Sequence, residues 1–155
     1  MNHSQELTKR CREVFLDGKF IALTNYKELI QDLDWKQATQ KVSNFNTIGL
    51  LVFHINYYLN GVNKVFEGGD LLIKDKFSFD MSPITSETDW KKMRTEFLSN
   101  AEVFCNHVDK LPEEKLDDVF VKEAYGTYRR NINGMIEHAY YHMGQISLLR
   151  KAVLS

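Results

Sequence analysis

The segment His138-Ala139-Tyr140-Tyr141-His142 places two imidazoles four residues apart. On a helix that spacing stacks them on one face with Cβ atoms about 5–6 Å apart, which suits two ligands of one ion. At about 100° per residue, His54 on a second helical segment and His138 and His142 all fall roughly a quarter-turn off the centres of their apolar stripes. They flank the core and do not fill it. If the two segments are neighbours, three rings converge and leave one position open for water or substrate, as a three-ligand catalytic site does. Gly134, one turn before His138, leaves room beside it. A lone histidine on such a flank is ordinarily a satisfied half-buried residue, so the case rests on the triple. His3, near the chain start, and His107, on a separate helix, are not recruited.

Other chemistries fit less well. Ala139 stands where the zinc-protease motif His-Glu-x-x-His needs its general base. No Glu-x-x-His pair of a di-iron bundle, Gly-rich phosphate loop or Gly-x-Ser-x-Gly elbow occurs. A nitrogen-only ligand set suits zinc, nickel, copper or iron, and we take zinc or nickel as the expected divalent metal. Gln145, at i+3 from His142, and Tyr58, at i+4 from His54, lie on the ligand side and could orient rings or contact a bound molecule. Glu137 and Tyr141 point away from that face. The catalytic base is not assigned.

The elements that must position these residues are helical. Leu7, Cys11, Val14, Gly18, Ile21, Ala22, Leu29 and Leu33 repeat with helical spacing, predicting a first helix over residues 4–33. Residues 34–46 read as a connection ending in cap-forming residue types, and 47–67 as a second helix stopped by Gly68-Gly69. Residues 70–85 carry apolar anchors without period. Ser86-Glu87-Thr88-Asp89 opens a third helix that ends near Leu111-Pro112, and Gly126-Thr127 precedes a fourth running to Val153. These readings predict an all-α single domain over residues 1–155, a four-helix bundle. The connection between helices two and three, about 17 residues, can reach about 55 Å, and a 22-residue helix is only about 33 Å long. It is long enough to recross the bundle, so helices two and three could run parallel.

Composition narrows the partners. A net charge of −1 over 155 residues gives no basic surface for nucleic acid or anionic membrane. The first ten residues have no apolar run, and no stretch approaches the roughly 18 apolar residues that span a bilayer. Two cysteines, in no Cys-x-x-Cys arrangement, fit a reducing compartment. The expectation is a cytoplasmic protein with a small-molecule substrate.

Thr47-Ile48-Gly49-Leu50-Leu51-Val52-Phe53-His54 and His138-Ala139-Tyr140-Tyr141-His142-Met143-Gly144-Gln145-Ile146 resemble the two motif segments of the DinB/YfiT-like proteins, and the helix count and length agree over essentially the whole chain. The resemblance implies up-down-down-up topology with the long connection as crossover, and a metal site of His54, His138 and His142. Many relatives carry a basic residue where this chain has Met143, a departure that leaves the ligands intact but bears on substrate contacts. It also implies homodimers and, from characterised members, metal-dependent transferases or isomerases that use a low-molecular-weight thiol. The alternative is a non-catalytic, metal- or ligand-binding stress-response bundle.

Overall fold

The computed structural model describes residues 1–155 and is all-helical, with six α-helices, three short 3-10 segments and no strand. The helices are α1 (His3–Phe15), α2 (Tyr26–Ile30), α3 (Trp35–Thr39), α4 (Ile48–Phe66), α5 (Glu87–Lys110) and α6 (Tyr128–Leu154). No helix is long and apolar enough to cross a membrane. Each α-helix begins at a side chain that accepts a hydrogen bond from an otherwise orphaned backbone N–H of the first turn: Asn2, Asn25, Asp34, Thr47, Ser86 and Thr127.

The expected first helix over residues 4–33 is broken. It stops at Phe15, and the Arg12 carbonyl accepts from Leu16, Asp17 and Gly18 in turn. Gly18 then turns back so tightly that a Cβ there would stand 2.6 Å from Glu13 Cα, closer than any side chain allows. Leu23 takes a left-handed φ of 56°, and Asn25 caps α2 while its Nδ2 donates to the Gly18 carbonyl at 2.9 Å. Ile21 and Ala22, placed on the inward stripe by their spacing, are exposed on this loop. The connection at 34–46 contains α3, which Asp34 and Gln37 open with a capping box.

All six helices contribute to one core of buried apolar side chains. Both α1 and α4 pack against α5 and against α6. Along α1, Ser4 meets Leu111, just past the end of α5, and Arg12 and Phe15 meet Glu102 and Phe97 within it, so the order reverses across the pair. Along α4, Asn56 and Phe66 meet Asn100 and Phe104 of α5 in the same order, whereas His54 and Phe66 meet His142 and Tyr128 of α6 in reverse. Phe15, Tyr26 and Phe97 form the aromatic centre, with ring centroids 5.3–6.1 Å apart. Its buried polar tips are satisfied: Tyr26 Oη donates to the Ala139 carbonyl at 2.6 Å and Trp90 Nε1 to the Leu33 carbonyl at 2.8 Å.

The connection between α4 and α5 is a strap laid back along α4. Ile73 packs into the gap at Gly61, where a Cβ would stand 2.5 Å from Ile73 Cγ2. The Tyr57 hydroxyl donates to the Lys74 carbonyl and accepts from the Lys74 N–H, and Tyr58 Oη donates to Asp75 Oδ1 at 2.9 Å. Further along, Ile84 lies against Gly49. From Ile73 to Ile84 the strap thus moves from Gly61, past Tyr57 and Tyr58, to Gly49 near the start of α4.

Candidate metal centre

α4 and α6 meet at the three histidines. His54 Nε2 stands 3.1 Å from His138 Nε2, which stands 3.0 Å from His142 Nε2, and one ligand atom from each ring lies within 4.8 Å of the others. His54 and His142 are buried, and His138 is half-buried. The sequence spacing brings all three together.

The far sides of the two buried rings decide what the near sides present. His54 Nδ1 faces the Ser78 carbonyl oxygen of the strap at 3.2 Å, and His142 Nδ1 faces Gln145 Oε1 at 2.6 Å. The Ser78 carbonyl is an acceptor, and so is Gln145 Oε1 with the amide turned this way, so each Nδ1 carries the hydrogen and each Nε2 presents a lone pair to the cluster. His138 Nε2 holds at most one hydrogen and can donate to only one of them. Without a cation, one of the two 3 Å contacts sets lone pair against lone pair.

A metal ion removes that conflict. Two imidazole nitrogens bound to one tetrahedral zinc at about 2.0–2.1 Å sit about 3.3 Å apart, close to the two spacings through His138, and the three ligand atoms lie within 4.8 Å of one another. Burial, and then the neighbouring imidazoles, push His138 down to about 4. Burial is also the main cause that lowers His54. Both rings are therefore neutral near pH 7, the form that ligates.

Gln145 and Tyr58 both lie at the cluster. Gln145 fixes the His142 tautomer, while the Tyr58 ring meets His54 and His138 edge-on at centroid distances of 5.2 and 5.3 Å. Burial raises the Tyr58 phenol. Three strap residues escaped the sequence reading: Ser78 by its carbonyl, Asp75 beneath Tyr58, and Phe79, stacked on His54 at 4.0 Å with planes 6° apart. Their signal was the cluster of apolar anchors in an aperiodic segment, which predicts order but not its target. His3 pairs with Glu113 and His107 stacks on Phe66, both apart from the cluster. Glu137 and Tyr141 are exposed.

A scan against protein-family profiles and searches of curated proteins and of solved structures find no match to this chain.

Proposed function

We propose that His54, His138 and His142 hold one divalent ion, zinc or nickel, and that the protein is a metal-dependent enzyme of the DinB/YfiT-like kind. The observation that carries this reading is the pinned tautomer pair. Two buried rings, each held from behind by an acceptor, turn lone pairs toward a third ring about 3 Å away. A bound ion supplies Lewis acidity, which lowers the pKa of a coordinated thiol and readies it as a nucleophile. Ser78 and Gln145 orient the ligand rings, Phe79 covers one face of His54, and the Tyr58 ring, its hydroxyl donating to Asp75, lies edge-on against His138.

The reaction class we infer is transfer of a low-molecular-weight thiol to a small electrophilic substrate. The helix arrangement belongs to the same proposal: an up-down-down-up four-helix bundle with the strap as crossover. Its support is the order of contacts, reversed between α1 and α5, matched between α4 and α5, and reversed between α4 and α6. The proposal also includes a homodimer working in the cytoplasm, without nucleic acid or membrane. Sedimentation tests the dimer.

Elemental analysis of gently purified protein should give about one zinc or nickel per chain, and His142→Ala should abolish it. Metal-dependent conjugation of a thiol to electrophiles should vanish in the same variant. Metal without turnover would instead favour the non-catalytic bundle, in which His142→Ala lowers only thermal stability. Absence of metal together with indifference to chelator would overturn the site.

A further inference from the structure

A cleft of about 800 Å3 opens between α4, the strap and the first half of α6 and ends at His138. Arg130, Gly134 and His138 line one wall at successive i+4 steps, so they share a helix face and span about 12 Å along its axis. Between the two ends the wall is bare. A Cβ on Gly134 would meet nothing within 4 Å, and any longer side chain there would project into the cleft.

The charges of the cleft are unevenly committed. Arg129 is paired with Asp117, and Asp75 accepts from Tyr58. Arg130 has neither an ion pair nor a side-chain hydrogen bond, and its stem runs past Gly126, where only a glycine leaves it room. Its Cδ lies 2.6 Å from where a Cβ on that glycine would stand, and Gly126 also has a left-handed φ of 77°. Arg130 is exposed and lines the cleft with its donors unpaired, and a guanidinium fork matches a carboxylate. Glu137, next to His138 in sequence, exposed and without a protein partner, also lines the cleft, so the Arg130 end suits an anionic group better than the His138 end. Val62, Leu71 and Met135 add apolar surface between the ends.

We propose that the cleft binds an elongated organic carboxylate, its carboxylate on Arg130, its apolar body over Gly134 and its far end at His138. The placement of the far end rests on the metal-site reading, and the carboxylate contact does not. Two probes separate them. Octanoate and the uncharged octanol are titrated into metal-free protein by calorimetry; Arg130→Gln should weaken octanoate about tenfold and leave octanol unchanged. Arg130→Lys should restore part of the loss, and Gly134→Val should weaken both probes. In cobalt-loaded protein, 8-mercaptooctanoate should show thiolate-to-cobalt absorption and bind more tightly than 8-mercaptooctanol, by a margin that Arg130→Gln removes.

Equal octanoate affinity in wild type and Arg130→Gln, or no effect of Gly134→Val, overturns the cleft assignment whatever the metal does. Octanoate behaving as expected while cobalt fails to load leaves the carboxylate site standing and refutes the metal-site reading. Thiolate absorption with no preference for the carboxylate does the reverse.

Discussion

Replacing Gln145 with Leu isolates the acceptor behind one ligand from the ligand itself. Leucine is close in volume and fits the half-buried position, so the fold survives; what is lost is the 2.6 Å hydrogen bond that holds the His142 hydrogen on Nδ1. The ring is then free to rotate or to carry its hydrogen on Nε2, where it cannot ligate. Loss of such a partner costs about 10–100-fold in metal affinity, or about 1.4–2.7 kcal/mol. At a free zinc concentration well above both dissociation constants, the stabilisation conferred by metal shrinks by that amount. For a chain of this length each kcal/mol moves Tm by about 3 °C, so the zinc-dependent gain in Tm should fall by about 4–8 °C. Competition against a chromophoric chelator gives the affinity directly, and melting with and without zinc gives the linkage. Wild-type zinc affinity in Gln145→Leu would refute the claim that the pinned tautomer builds the site.

Two further outcomes follow from the same geometry. In chelator-treated protein, His138 is held down to about 4 by burial, against about 6.5 when unfolded. Between those values the unfolded chain binds a proton that the folded one refuses, so stability is complete above about pH 6.5 and is lost as pH falls toward 4. Urea midpoints should decline across that window, and His138→Gln should flatten the decline; a wild-type midpoint constant from pH 7 to 4.5 counts against the buried neutral ring. Gly61→Val should push Ile73 off α4, with an overpacking cost of about 1–3 kcal/mol and a Tm lower by about 3–9 °C. Because the same strap carries Ser78 and Phe79, zinc affinity should fall as well, and unchanged affinity in a destabilised variant would uncouple strap from site.

The sequence made the site more legible than the chain path around it. His138 and His142 could be paired because helix spacing is rigid, and His54 could be added because it occupies the matching flank of its own stripe. Gln145 and Tyr58 followed from the same periodicity. The first helix failed for a local reason: Asp17-Gly18 and Thr24-Asn25 are turn and cap signals inside an apolar repeat, and the backbone obeyed them. Ile21 and Ala22 kept their helical spacing only by coincidence. The partners Ser78 and Phe79 were illegible because a strap has no period, and which turn of α4 it touches depends on the fit of Ile73 at Gly61.

The three rings are not equivalent in their freedom to move. His54 and His142 are buried and held from behind, whereas His138 faces the cleft and its Nδ1 has no hydrogen-bond partner. Ion exchange should therefore proceed through rotation of His138, the one ring that can swing aside without breaking a hydrogen bond on its far side. A molecule filling the cleft would block that rotation, lengthening the residence time of the ion and slowing its entry and departure alike.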